Sequence, residues 1–403
     1  MILILCLLIF FSVALPKDRY IGELCDLAEQ RNYDIKASEF EVLKSEGSYI
    51  QSKAFQNPTF SINYTGLDFS KGYPTDTSNS QVTVRVDQPI ELGGKREYRI
   101  KGAYHQLLST KLQALSVKRL VCLDLTQVYF QTLSDRDFYN YLRQDLEDFT
   151  KILEVQREKY NRGFISYLDY LKLNLYKLDL ENAIAKAEAS YKKDLKQLSY
   201  MLGGLNYEPK AEEVEIELKP LNLERLTASA MEKREDVKAI KEQIKSADYN
   251  IKLLKAYSVP DISLGVEYDS FGVRHTHAMG FGFALNIPVL DRKEGDLLTA
   301  IASKEQSMVN LKKLELYIRT QIEQAYEDYM SSLNTYKAYL RYKEQMDALL
   351  DKTKKSYIIG GISVLDFLDT LRTYRAFMNS FLQAKYNYLN SLHTLLLLSG
   401  EEP

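Results

Sequence analysis

Asp366 and Asp369 stand three residues apart in a stretch of helical periodicity, which sets both carboxylates on one helix face. Several such pairs around one axis would attract cations and repel anions at a constriction. The same two acids also suit a helix start, where the backbone dipole favours negative charge. Asp169 is the matching acid earlier in the chain, but Lys172 stands where its second acid would be. His275-x-His277 offers metal donors without a third ligand, which is weak evidence for a site. The other histidines, His105 and His393, lie in helical segments. There is no phosphate loop, nucleophile elbow or zinc motif. The chain therefore reads as a non-enzyme with no cofactor.

The elements that carry these residues occur twice. Tyr160-x-x-Gly163-x-Ile165-Ser166-x-Leu168-Asp169 returns as Tyr357-x-x-Gly360-x-Ile362-Ser363-x-Leu365-Asp366, and the same shift carries Leu198 and Gly203 onto Leu395 and Gly400. Asp34-x-Lys36-Ala37 returns as Asp236-x-Lys238-Ala239, Pro58 as Pro260 and Pro89 as Pro288. Two units this long are not a stacked solenoid, whose repeats run roughly 20–50 residues. They imply one duplicated structure, with repeats at 15–205 and 223–403 and an acidic segment at 206–222 between them.

Each repeat changes period midway. A helix is expected over 20–57, ended by Asn57-Pro58 because the residue before proline avoids helical angles. Phe60, Ile62 and Tyr64 then alternate with polar residues, a polar loop follows, and Val82, Val84 and Val86 alternate again. This predicts a β-hairpin at about 58–89 and, by the same pattern, a second at about 260–288, with Asp269-Ser270-Phe271 in its loop. Helix breakers then nearly vanish for about 65 residues, enough for a helix of about 100 Å at roughly 1.5 Å per residue. A tyrosine stripe (Tyr326, Tyr329, Tyr336, Tyr339, Tyr342) marks the second such run and predicts coiled-coil-like packing. Gly163 and Gly360-Gly361 end the runs, and Ser166 and Ser363 are placed to cap shorter return helices. Ile165 and Ile362 fall in these turns and are expected to be exposed.

Composition sets the compartment. Met1 to Leu15 is a short apolar run with Ser12-Val13-Ala14 before polar Lys17-Asp18-Arg19, so residues 1–14 read as a secretory signal. A net charge of −2 gives no support to nucleic-acid binding. Cys25 and Cys122 lie in separate helical segments, so no structural disulfide is expected. Gly22-Glu23-Leu24 is a poor lipidation box before Cys25.

Strands of about nine residues suit a tilted membrane strand. A membrane sheet must close on itself, because hydrocarbon offers its edges no hydrogen-bond partners. Four strands cannot close a useful barrel, but three copies with four strands each can. The apolar faces would meet lipid, and Arg85, Asp87 and Glu267 would line a wet lumen, tuning selectivity or simply solvating the bore. A small soluble β-sandwich capping a helical body is the alternative architecture. A soluble or peripheral periplasmic coiled-coil scaffold without channel activity is the alternative function.

Gln88-Pro89-x-Glu91-Leu92-Gly93-Gly94-Lys95-Arg96, followed by Arg99 and Ala103, resembles the signature after the first hairpin of TolC-type outer-membrane efflux proteins. Ile287-Pro288-Val289-Leu290-Asp291-Arg292 with Gly295 is similar to its counterpart in the second repeat. Arg234-Glu235-Asp236-Val237-Lys238-Ala239 resembles the family's Arg-Pro-Asp-Leu-x-Ala, with Glu235 in place of proline. The resemblance implies a mainly α homotrimer with a 12-stranded β-barrel in outer-membrane lipid and a long α-barrel in the periplasm of a Gram-negative-type bacterium. It implies an exit duct served by an inner-membrane pump and a periplasmic adaptor that meets the helical tips at Gly163, Ile165, Ser166, Gly360, Ile362 and Ser363. Asp366 and Asp369 match acids that narrow the periplasmic entrance, and Asp169 and Tyr357 match a link that holds it shut. Ile362 stands where a second link would use arginine. The Glu91-to-Arg96 wording is reminiscent of ducts serving heavy-metal exporters; drug and polypeptide export are also compatible.

Overall fold

A computed structural model describes residues 21–66, 80–209, 221–271 and 276–400. The signal at 1–14, His275 and most of the acidic inter-repeat segment lie outside the described residues. The order of elements is α1 (Ile21–Arg31), α2 (Tyr33–Ser52), β1 (Thr59–Thr65), β2 (Gln81–Ile90), α3 (Lys95–Asn161) and α4 (Tyr167–Met201). Then come α5 (Leu223–Lys233), α6 (Glu235–Ala256), β3 (Asp261–Phe271), β4 (Thr276–Asn286), α7 (Glu294–Ile358) and α8 (Val364–Leu398). The long runs are indeed single helices, 67 residues in α3 and 65 in α7. Each return helix has 35.

The chain packs into two compact units, and each takes pieces from both repeats. One unit holds residues 37–116 and 234–317. Its sheet is antiparallel throughout, in the order β1-β2-β3-β4, so the two hairpins join through β2 and β3. Register places Phe60, Val86, Val266 and Phe281 in one row and Ile62, Val84, Tyr268 and Met279 in the next, giving one continuous apolar face. Asp269, Ser270 and Phe271 continue β3 rather than forming the expected loop, because they pair with Ala278, His277 and Thr276.

The turn from β2 into α3 gives the Glu91-to-Arg99 wording a structural task. Lys95 is buried, and its Nζ donates to Val259 O and to Asp261 Oδ1, each at 2.7 Å. Leu92 N donates to the same Asp261 oxygen at 2.9 Å. Arg99 forks onto the Glu91 carboxylate and also donates to Ser52 O at 3.1 Å, while Arg96 donates to Lys53 O at 2.6 Å. These bonds satisfy the carbonyls left over where α2 ends. The motif thus ties the end of α2, the end of β2 and the start of β3 into one knot.

The other unit holds residues 21–36, 117–233 and 318–400 of the described chain. The single helix expected over 20–57 is instead broken at Asn32 and ends at Ser52. Asn32 Oδ1 accepts from Asp34 N at 2.8 Å and Ile35 N at 3.2 Å, capping α2. Its Nδ2 donates to Met201 O at 2.9 Å, which anchors the break to the end of α4. Gly203 closes that end with φ 64°, and a Cβ there would sit 2.5 Å from Arg31 O, so only glycine fits. Tyr329 and Tyr336 pack against Tyr388 with ring centroids 5.9 Å apart, but Tyr342 is exposed, so the tyrosine stripe is core only in part.

Cys25 and Cys122 form a disulfide, contrary to expectation. Burial of Ile21, Leu24 and Ala28 lays α1 against α3 and brings the two Cα atoms within 5.3 Å, inside the bridging range. Cys25 consequently has no free sulfur for a lipid thioether. The bridge spans 97 positions, and in a chain-entropy account Cys122→Ser should lower the unfolding free energy of this helical unit by about 2–4 kcal/mol. Denaturant titration with and without reductant checks this: the two curves should differ for the native chain and coincide for the variant.

Candidate functional site

Two surfaces carry the residues singled out above. The first is the pair of hairpin tips in the helical unit. Gly163 N donates to Tyr160 O at 2.9 Å and Phe164 N to Lys159 O at 2.8 Å, the pattern that closes a helix through a left-handed residue. Gly163 has φ 78°, and Gly360 repeats the geometry with φ 83°. Ser166 and Ser363 then cap α4 and α8 as expected, their side chains accepting from Asp169 N and Asp366 N at 3.1 Å.

The two starts differ in charge. Asp169 Oδ2 accepts from Ser166 Oγ at 2.8 Å, and Lys172 approaches its other oxygen at 3.4 Å. Asp366 Oδ2 accepts from Ser363 Oγ at 2.6 Å, but no lysine follows it. Asp369 is exposed and makes no hydrogen bond among the described residues. The first tip is neutralised and the second keeps two carboxylates.

Between the tips lies a cavity of about 780 Å³, lined by Gln156, Phe164, Ile165, Tyr357, Ile362 and Leu365 among others. Ile165 and Ile362 are half-buried rather than exposed, because they turn toward this cavity and, for Ile362, onto the core cluster around Phe367. The exposed apolar residues of the tips are Phe164, Tyr167, Leu168, Ile359 and Leu365. Their adjacency to Gly163, Ser166, Gly360 and Ser363 in sequence was the signal available for finding them.

Within one copy Tyr357 makes no hydrogen bond to Asp169. Its ring stacks on Phe367 with centroids 4.1 Å apart, and its buried Oη has no partner among the described residues. Burial, helped by the nearby Asp169 carboxylate, pushes the phenol up to about 12, so it stays a donor. Gln156, only 2% exposed, leaves its Nε2 unpartnered as well. Two unspent hydrogen-bond donors therefore lie buried behind a lining that mixes apolar side chains with Glu158, Lys159, Arg162, Asp169 and Lys172.

The second surface is the polar face of the sheet. Arg85 forks onto Asp87, with Nε to Oδ2 at 2.7 Å and Nη2 to Oδ1 at 2.8 Å, and its Nη1 donates to Glu267 at 3.0 Å. Asp269, which sequence reasoning missed, accepts from Gln81 at 2.7 Å and Thr83 at 2.5 Å. These charges lie flat over Gly265, Gly280 and Gly282; a Cβ on Gly265 would fall 2.3 Å from Asp87 Oδ1. His277 Nδ1 meets Tyr268 Oη at 2.7 Å on the opposite face, and among the described residues no cluster of three metal-ligating side chains occurs.

Comparison with known proteins decides the family. The family model for outer membrane efflux proteins matches residues 24–204 and again 226–401. The chain belongs to that family. It is an outer-membrane protein of the TolC type, in a family of ducts rather than of enzymes. The cobalt-zinc-cadmium resistance protein CzcC of Cupriavidus metallidurans is 23% identical over 286 residues, covering 70% of this chain and 66% of that protein. The probable outer membrane lipoprotein SilC of Salmonella typhimurium is 20% identical, covering 97% and 87%. A crystal structure of CusC, from work on transmembrane channel formation, superposes with a TM-score of 0.78 at 18% identity, covering 96% of this chain and 93% of that one. The outer membrane protein VceC of Vibrio cholerae gives 0.75 at 15%, covering 95% and 96%.

Removing the unpartnered Tyr357 hydroxyl should cost nothing. Tyr357→Phe keeps the stack on Phe367 and should leave stability unchanged or raise it by up to about 1 kcal/mol. A thermal melt that fell instead would show the hydroxyl to be engaged.

Proposed function

We propose that three copies of this chain form a continuous outer-membrane duct of a tripartite efflux system and that the duct itself performs no chemistry. The observation that carries this reading is the sheet: β1 and β4 are unpaired edges among the described residues, and the apolar face is bare, with Phe281 85% exposed. Such edges close only against further strands in lipid. Three four-stranded sheets make a 12-stranded barrel whose lumen is lined by Arg85, Asp87 and Glu267. No described helix is long and apolar enough to cross a membrane, so the sheet is the membrane element of this proposal.

The tip cavity is the contact for a periplasmic adaptor, which in turn joins an inner-membrane pump. Its lining supports docking, because Phe164, Ile165 and Leu365 stand beside Glu158, Lys159 and Arg162 and offer a partner chain both apolar and charged contacts. Gly163, Ser166, Gly360 and Ser363 hold the turns, and Ile165 and Ile362 form the apolar walls. Asp366 and Asp369 form the entrance ring, with Asp169 and Tyr357 beside it. The kinship with CzcC, a cobalt-zinc-cadmium resistance protein, favours divalent metal ions as cargo over drugs.

Reconstitution in a planar bilayer tests the duct: the native chain should conduct, and silence would count against it. Asp366→Ala with Asp369→Ala should raise single-channel conductance and weaken block by multivalent cations. Separately, Phe164→Asp or Ile362→Asp should abolish efflux in cells at undiminished trimer yield. Normal efflux would remove the tips from adaptor docking.

A further inference from the structure

Asp145 is an unusual residue for the middle of a hydrophobic cluster. It lies on α3 between Leu142 and Phe149, both core members, and is only 6% exposed. Its Oδ2 has no hydrogen-bond partner among the described residues. Two further polar atoms in its surroundings are equally unspent. Tyr176 on α4 is fully buried with Oη unpartnered, and Arg375 on α8 leaves Nη1 unpartnered. The Arg375 guanidinium lies 5.6 Å from the Tyr176 ring centroid.

The charged and titratable groups that face this point come from all four long helices of the unit. From α3 they are Tyr141 and Asp148, and from α4 Tyr176. From α7 comes Lys354, whose Nζ is already within 3.3 Å of Asp148. From α8 come Arg375, Tyr374 and, 6.0 Å from the Tyr176 ring centroid, Arg372. The Tyr374 hydroxyl is spent on Asp347 at 2.7 Å. A carboxylate here has cations near it but no direct bond to any of them, so its charge is left uncompensated in the core.

We infer that Asp145 is a proton-binding site at the seam of α3, α4, α7 and α8, neutral while α8 seats dry against α3 and α4 and ionised when that seam takes up water. Protonation lets the carboxyl sit among Phe149, Leu142 and Tyr176 without an unpaired charge. Ionisation favours any arrangement that lets Arg375 or water reach it. Burial holds this carboxyl up to about 6, with Lys354 and Arg375 pulling the other way. The neutral form is thus the one the fold prefers. The stability it contributes is complete below the ordinary carboxylate range and is lost as pH rises through about 6. Acid tightens the seam and neutral pH loosens it.

The test compares the purified full-length assembly with its Asp145→Asn variant by thermal unfolding between pH 5 and pH 8. The native midpoint should fall across that range by roughly 2–4 °C more than the variant's, and the variant should be the more stable at pH 8. Superimposable pH profiles would overturn the proposal. Asp194, also held up to about 6 by burial beside Asp135, is removed from the comparison by working in an Asp194→Asn background. If Asp145→Asn fails to assemble, infrared spectroscopy of the Asp194→Asn chain serves instead. A protonated-carboxyl band whose loss is centred near pH 6, above that of the ordinary carboxyls, supports the site, and a loss already complete by pH 5 overturns it. Arg375→Leu should move that loss to higher pH, and an unmoved loss would exclude the seam as its origin.

Discussion

The backbone groups along the outer edges of β1 and β4 govern what this chain must become. A row of N–H and C=O groups without partners is tolerable in water and costs several kcal/mol per group in hydrocarbon. The apolar row formed by Phe60, Val86, Val266 and Phe281 makes water the wrong solvent for the same sheet. One surface asks for lipid while its edges forbid exposure to it. More strands from further copies resolve both demands together, which is why the chain reads as one part of a closed tube.

The polar face obeys the opposite logic, with its charges satisfied within one copy. Arg85 holds Asp87 and Glu267 at once, and the glycines of β3 and β4 leave room for the side chains to lie flat. Each residue larger than glycine in those rows would lift the charges off the sheet. The helical unit offers a contrast: Asp145, Tyr176, Gln156 and Tyr357 keep unspent polar atoms inside a packed body. A fully satisfied network rigidifies, and an unpaired polar group inside a packed body is costly. The unsatisfied groups named here fall in the unit that carries the tips.

Duplication supplied a common backbone and left the side chains to diverge. Both tips use a left-handed glycine and a serine cap, because turning a helix back on itself needs those two devices wherever it occurs. The chemistry at the caps is different. Lys172 neutralises Asp169 in the first repeat, whereas Asp366 and Asp369 stand together in the second.

Much of this was legible in the residues alone. A period of two in the hairpins, the scarcity of breakers in α3 and α7, and the Gly-then-Ser turns are local signals, and local backbone physics turns them into strands, helices and caps. Asn32 ends a helix for an equally local reason, its side chain accepting from Asp34 N and Ile35 N. What the residues could not disclose depends on neighbours far along the chain. The Cys25–Cys122 bridge needs α1 laid on α3, the inward turn of Ile165 and Ile362 needs a cavity between two tips, and the unspent hydroxyl of Tyr357 needs Phe367 beneath its ring. Sequence determined the elements because periodicity and capping act within a few residues; tertiary structure alone decided which side chains meet, because contact is set by packing between segments that composition and spacing do not order.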